Sequence, residues 1–299
     1  MTIVRTTPID RLAGAPISWG VCEVPGWGLM MEPRRVLAEM KSVGMLATEL
    51  GSPGFFPDDV GEVRDLLAEF EIGMIGGFVP LVLHNSAVAD RSRAEAKRWA
   101  KLLQSIGGDH FVTAVVVTPD WAPRYEIDAD ELAHLAKMLN EVDQIAADHG
   151  LRQVVHPHAG TVVEQADDFR RVLEATTVSW CLDTGHLAIG GLDPVDFARD
   201  YADRVGLVHL KDMNNEIAAR YLAGEFTLMG AVQHGLFRPL GQGDVDLDKV
   251  VTLLERACYD GWYVLEQDQA ISEIPALGSG PIDEVRTSVA YLRALSDGL

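Results

Sequence analysis

The chain has 299 residues, a formal net charge of −20, and is 47% hydrophobic and 23% charged. That length admits one barrel or two ordinary domains, and the composition is globular, with enough apolar residues for a large core. Such acidity argues against phosphate backbones and anionic membranes as partners, because both require clustered Lys and Arg.

The N-terminal stretch MTIVRTTPIDRLAGAPISWG lacks the apolar core of roughly 7–15 residues that marks a signal peptide. No apolar run in the chain approaches the roughly 20 residues needed to span a bilayer. The expectation is a cytoplasmic protein with no membrane contact. The first predicted strand is 15–21, and it ends beside the first cysteine, Cys22. A 3.6-residue apolar period over 32–43 predicts the first helix. Strand 47–51, helix 58–70, strand 73–83 and helix 94–106 follow, then strand 111–117 and helix 130–149. Strand 153–158 leads into helix 166–175. Strand 178–183, which contains Cys181, leads into helix 194–202, announced by Asp193 followed by Pro194. Strand 206–210 is next. Asp246 then opens helix 247–258, which ends on Cys258. Strand 262–266 and helix 283–296 complete the chain. Continuous apolar runs such as TAVVV and GLVHL suit parallel strands covered on both faces.

Eight strands alternating with eight helices predict a single-domain α/β chain, a (β/α)₈ TIM barrel over 1–299. A doubly wound sheet usually carries a Gly-rich phosphate turn, and neither GxGxxG after the first strand nor GxxxxGK[ST] occurs. The cysteines are far apart and odd in number, so they read as buried thiols. One segment, 213–244, is unusually long for a connection and is expected to form a lid-like loop over the mouth. It carries Arg220, Tyr221, His234 and Arg238.

In a barrel, chemistry gathers at the C-terminal ends of the strands. The second predicted strand ends at Glu49 and the third at His84. The fifth ends at His156 and His158, the sixth at Asp183 and His186, the seventh at His209, Lys211 and Asp212, and the eighth at Glu266 and Asp268. Five of the nine histidines therefore sit at strand ends. Two imidazoles and two carboxylates make an N₂O₂ set. Such a set suits Mn²⁺ or Co²⁺, with Mg²⁺ also accommodated, better than a closed thiolate zinc site. His156 and His158 are two residues apart and can face the same way, one toward a metal and the other toward substrate. Glu49 is expected to accept a substrate hydroxyl or to pair with a cation. His84, Arg220 and His234 are candidates for the substrate pocket. Trp19, Trp27, Phe55 and Phe56 are candidates for stacking on a ring or for core packing. His110, His134 and His149 read as structural, and Trp99, Trp121 and Trp180 as packing residues.

The motifs APISW, TELG, HPHAGT, DTGHL, HLKD, GQGDVDL and LEQDQ, in this order, resemble the xylose isomerase-like barrel superfamily of sugar isomerases, epimerases and dehydratases. Within it the pattern is most similar to the inosose (2-keto-myo-inositol) dehydratases. The resemblance implies metal ligands at His156, Asp183, His209 and Glu266, with His158, His186 and Lys211 beside the substrate. Many relatives carry Glu where this chain has His156, an exchange that leaves a bound ion one unit more positive. The implied reaction is β-elimination of water from a keto-polyol through a metal-stabilised enediolate, with Lys211 or His186 as base and His158 as acid. Lys211 is expected to have a depressed pKa beside a cation, or else to stabilise the enolate as a charge. The alternatives are an isomerase or epimerase using the same enediolate, and β-elimination from a 3-keto-glycoside. An endonuclease-like barrel conflicts with the acidity, and a non-catalytic ligand-binding barrel conflicts with the intact ligand set. The partner expected is a small polyol or sugar, with no nucleic acid, and the resemblance implies homo-oligomers.

Overall fold

A computed structural model describes residues 7–299 apart from Glu23 and Pro25. The first six residues of the N-terminal stretch discussed above lie outside it. Eight parallel strands close into a barrel: β1 (Leu12–Gly14), β2 (Ala47–Glu49), β3 (Gly73–Leu81), β4 (His110–Val115), β5 (Arg152–Val155), β6 (Ser179–Asp183), β7 (Val205–Leu210) and, last in the chain, β10 (Tyr263–Leu265). The barrel closes where β10 pairs with both β1 and β7.

The helices lie where apolar periodicity puts them: α1 (Pro33–Ser42), α2 (Val60–Phe70), α3 (Ala89–Ser105), α4 (Ala129–Asp148) and α5 (Ala166–Ala175). Three short helices that no apolar period announced, α6 (Thr184–Ile189), α8 (Asn215–Leu222) and α9 (Leu228–Gln233), are interleaved with the expected α7 (Pro194–Asp200), α10 (Leu247–Arg256) and α11 (Pro281–Asp297). Asp193 and Asp246 cap α7 and α10 as read, accepting from the Val195 and Lys249 backbone N–H groups. Such side-chain caps satisfy donors that a helix start otherwise leaves unpaired. Among the described residues, no helix is long and apolar enough to cross a membrane.

The core forms two shells. Inside the barrel sit Ala13, Ala47, Ile75, Val112, Val154, Cys181, Leu207 and Val264. A larger cluster fills the space between strands and helices. The first strand is shifted from its predicted place. Pro16 begins a 3₁₀ turn over Pro16–Trp19, and Gly20 adopts φ 81°. The APISW motif is therefore the first βα-loop, and the strand is the preceding Leu-Ala-Gly, whose small residues carry little β propensity.

Segment 213–244 is not irregular. A short antiparallel ribbon, β8 (Asp212–Met213) with β9 (Phe237–Arg238), brackets α8 and α9. This excursion has its own small core, in which Met213, Ala218, Ala231, Val232, Leu236 and Phe237 pack against Trp27 and Ile189. Asp212 fastens its far end. Its carboxylate accepts from the backbone N–H groups of Met213, Gly241, Gly243 and Val245, at 2.9–3.1 Å. A side chain at Gly243 would collide with that carboxylate. Asp212→Ala strands the buried Met213 donor and three partly buried ones, and a buried donor left unpaired costs about 1–3 kcal/mol. Urea denaturation should show a loss of about 3 kcal/mol, within that range per stranded group.

Candidate metal centre and its polar surround

The strand register brings the strand-end residues together. Asp183 on β6 is directly opposite His209 on β7, and His209 is opposite Val264 on β10. The Glu266 backbone N–H donates to the Leu210 carbonyl, which places Glu266 beside Lys211. His156 follows β5 and donates its backbone N–H to Thr113. One ligand atom each of His156, Asp183, His209 and Glu266 lies within 4.8 Å of the others.

The DTGHL and HLKD motifs interlock there. Asp183 divides its carboxylate. Oδ1 caps α6 by accepting from the His186 N–H at 2.7 Å, while Oδ2 faces inward, 3.3 Å from His156 Nε2 and 3.5 Å from Lys211 Nζ. Thr184 Oγ1 donates to the Lys211 carbonyl and accepts from its N–H. Gly185 leaves room for the Lys211 stem, since a Cβ there would lie 2.8 Å from Lys211 Cγ. His186 Nε2 is 3.2 Å from Lys211 Nζ, and its Nδ1 accepts from the Ala159 N–H.

His209 Nδ1 and Glu266 Oε2 form a close ion pair at 2.6 Å, while His156 Nδ1 has no hydrogen-bond partner. Buried polar atoms are normally satisfied. His156 Nε2, Asp183 Oδ2, His209 Nδ1 and Glu266 Oε2 gather around one point, as a cation requires, so the residues present fit a divalent ion. His209 Nε2 is held by Glu49 Oε1 at 3.0 Å. An outer carboxylate in such a position can fix the orientation of a metal-ligating imidazole.

The charge balance agrees. Asp183, Glu266, Asp268 and Glu49 are all largely buried around a single ammonium, Lys211. Burial alone would lower Lys211, but Asp183, Asp268 and Glu266 outweigh it and hold the ammonium well above its usual range. The depression expected of Lys211 beside a cation concerns the ion-loaded site; without the ion, carboxylates dominate its surroundings. Burial likewise opposes a charge on His209, yet Cys181, Glu266 and Glu49 lift its imidazole well above the ordinary value. Burial would raise Asp183, but Lys211 and His186 hold its carboxyl well below the usual range. Burial, reinforced by Glu266, pushes Asp268 up to about 6 against the pull of Lys211.

Beside this cluster, burial and neighbouring cationic groups keep two imidazoles neutral, with His158 pushed down to about 3 and His186 well below its usual value. Their rings are 3.9 Å apart. His158 Nδ1 donates to the Ala159 carbonyl at 2.8 Å, which leaves Nε2 as its free lone pair.

Lys211, His186 and His158 thus adjoin the four-residue cluster, and Glu49 supports it from behind. The other pocket candidates lie elsewhere. Trp19 is fully buried and donates to Glu39 on α1, so it packs against a helix instead of facing substrate. His84 is buried against Tyr125, near His134 and Glu131 at the start of α4. Arg220 and His234 sandwich Phe226 on the outer side of the excursion, where Arg220 pairs with Glu225. Position at a strand end or in a long loop, with charge or ring character, suggested them, and none of these reports the direction of a side chain.

Three contributors had no such role in the sequence reading: Asp268, offered only as a strand-end acid, Phe237 and Trp121. Asp268 Oδ1 is 2.8 Å from Lys211 Nζ. Phe237 lies 4.8 Å from that ammonium and edge-on to His186. Trp121, read as packing, stacks parallel to Phe78, and both rings contact His158. Trp121 has φ 57°, a left-handed conformation uncommon outside glycine, which turns its ring toward this mouth.

Comparison with known proteins identifies the family. The xylose isomerase-like TIM barrel model matches residues 37–295. The chain belongs to that family. It is 31% identical over 282 residues to an inosose dehydratase of Geobacillus kaustophilus, covering 89% of each chain. Among solved structures it resembles an L-ribulose 3-epimerase (TM-score 0.71, 16% identity, covering 96% of this chain and 95% of that one). It also resembles an IolI protein with a bound zinc atom (TM-score 0.71, 14% identity, covering 96% and 98%). At those identities the structural likeness speaks for the fold.

Proposed function

We propose that this family member is a metal-dependent hydro-lyase that removes water from an inosose-like keto-polyol. The observation that carries the reading is the junction of two sets of residues. His156, Asp183, His209 and Glu266 converge on one point, and Lys211, His186 and His158 line its side. The full-length likeness to an inosose dehydratase selects dehydration among the reactions such a site supports.

His156, Asp183, His209 and Glu266 are the proposed ligands, with Mn²⁺ or Co²⁺ the best match to an N₂O₂ set and Mg²⁺ also accommodated. When bound, the ion polarises the substrate carbonyl and its neighbouring oxygen, which acidifies the α-hydrogen. Lys211, held as an ammonium, supplies a fixed positive charge for the oxyanion that forms as the proton leaves. His158 is neutral, and its Nε2 takes that proton. The same nitrogen then returns the proton to the departing β-hydroxyl, so hydroxide leaves as water and the α-hydrogen and hydroxyl are lost together. His186 stands between Lys211 and His158, its Nε2 3.2 Å from Lys211 Nζ and its ring 3.9 Å from that of His158, and it holds the two at fixed separation. Phe78 and Trp121 wall off one side of His158 and limit the access of bulk water. General acid–base help of this kind is worth about 10²–10⁴-fold. The three free cysteines fit a reducing, cytoplasmic setting.

Mass spectrometry of products decides between the reactions. The protein, reconstituted with Mn²⁺ and incubated with inososes, ketoses and 3-keto-glycosides, should release from an inosose a product lighter by one water. An isomer of unchanged mass would identify an epimerase or isomerase. Loss of an alcohol or sugar would identify glycoside elimination.

A further inference from the structure

One group inside the barrel differs from its surroundings. Cys181 lies on β6 two residues before Asp183, so both side chains point inward. It is fully buried in a layer that is otherwise hydrocarbon, with Ala47, Ile75, Val154, Leu207 and Val264 around it. A thiol packs well in such a layer as a small apolar group. Its position relative to the histidines adds something more. Cys181 Sγ and one nitrogen each of His156 and His209 lie within 4.8 Å of one another. Both imidazoles are at least 98% buried, and His156 Nδ1 lacks a hydrogen-bond partner. The two rings are thus flanked by Asp183 and Glu266 at the mouth and by a sulfur one layer down.

We propose that His156 and His209 serve two coordination modes. Hard or intermediate ions take the carboxylates at the mouth. Thiophilic d¹⁰ ions, Cd²⁺ above all and Zn²⁺ less strongly, take Cys181 instead and are held deeper in the barrel. Soft thiolate ligands select such ions, whereas carboxylates favour harder ones. On binding, a metal–sulfur bond forms, the S–H bond breaks and the proton passes to solvent water; no oxidation state changes. A dication with one thiolate and two neutral imidazoles keeps one positive charge, which the Glu49 carboxylate offsets from its place 3.0 Å from His209. In this mode Asp183 and Glu266 stay paired with Lys211, so the ion occupies the histidines without serving the mouth. The inference concerns metal selection and holds whichever substrate the enzyme takes.

The test uses the full chain carrying Cys22→Ser and Cys258→Ser, which leaves Cys181 as the sole thiol. Chelator-dialysed protein is titrated with Cd²⁺ while the ultraviolet sulfur-to-cadmium charge-transfer band is followed. X-ray absorption at the cadmium edge then counts the sulfur neighbours. The expected result is a band that saturates at one equivalent, with one sulfur in the coordination shell. The band should persist when Glu266→Gln is added. Further change of Cys181 to Ala should lower Cd²⁺ affinity about tenfold or more, with Mn²⁺ affinity unchanged, because carboxylate and imidazole ligands remain for the harder ion. Cadmium bound without a sulfur neighbour, or no cadmium bound, overturns the proposal. Because both measurements are made on protein that keeps Cys181, a misfolded alanine variant does not obscure them. Absent turnover with a normal sulfur band would count against the proposed reaction alone.

Discussion

Asp183→Asn should cut turnover by about 10³-fold or more, equivalent to about 4 kcal/mol of transition-state stabilisation. Metal content after dialysis should fall with it. The substitution is chosen because Asp183 has two separable duties. Its Oδ1 caps α6 through the His186 N–H, and Asn caps a helix start about as well as Asp. Its Oδ2 faces His156, His209 and Lys211. Asn therefore preserves the local fold and removes the charge. Glu266→Gln makes the same kind of change at the carboxylate that faces His209 Nδ1 at 2.6 Å. Metal analysis and steady-state kinetics on both variants check this, with circular dichroism confirming the fold. A variant that holds one equivalent of Mn²⁺ and keeps turnover within about tenfold of the parent would remove that residue from the ligand set, since loss of a ligand should cost more than loss of an outer-shell partner.

The barrel was legible because its strands are buried on both faces and its helices on one. Those two patterns survive in a single sequence. Helix α5 lies at its predicted bounds, and Asp193 and Asp246 cap as read. The misses have local causes. β1 is three residues of small side chains, and the apolar signal beside it belongs to a proline-led turn. The excursion has short helices whose apolar faces cover only a satellite core, so no long period announces them. At the site, strand-end position located the cluster, because register carries those residues to one mouth whatever their spacing in the chain. Position does not report the direction of a side chain. Trp19 points outward to α1, and Trp121 points inward because of a left-handed backbone that its sequence neighbours do not advertise. Asp268 was visible as a strand-end acid, but its pairing with Lys211 depends on how the chain turns after β10.

Lys211→Met tests the charge balance itself. Its ammonium stands 2.8 Å from Asp268, 3.4 Å from Glu266 and 3.5 Å from Asp183, all well buried. Methionine fills a similar volume, so packing against Gly185 and Phe237 is largely retained while the positive charge is lost. Breaking a buried pair by removing one partner typically costs 3–5 kcal/mol, and about that loss is expected in chelator-treated protein at pH 8. The loss should shrink toward pH 5. Asp268 is already raised to about 6 by burial, and without Lys211 it rises further, so protonation relieves the repulsion as the pH falls. In linkage terms, a carboxylate with a folded pKa above its unfolded value destabilises the fold above that folded pKa, and the penalty disappears as pH falls below the unfolded pKa. A divalent ion should act in the same direction by another route. Binding only to the folded state, it restores about 2.7 kcal/mol at a hundred times its dissociation constant. Turnover should remain about 10²–10⁴-fold down even with metal restored, because stabilisation of the developing oxyanion is missing. Thermal unfolding at pH 5 and pH 8, each with and without Mn²⁺, separates these contributions. Equal stability losses in all four conditions would show that the lysine acts through its stem and not its charge.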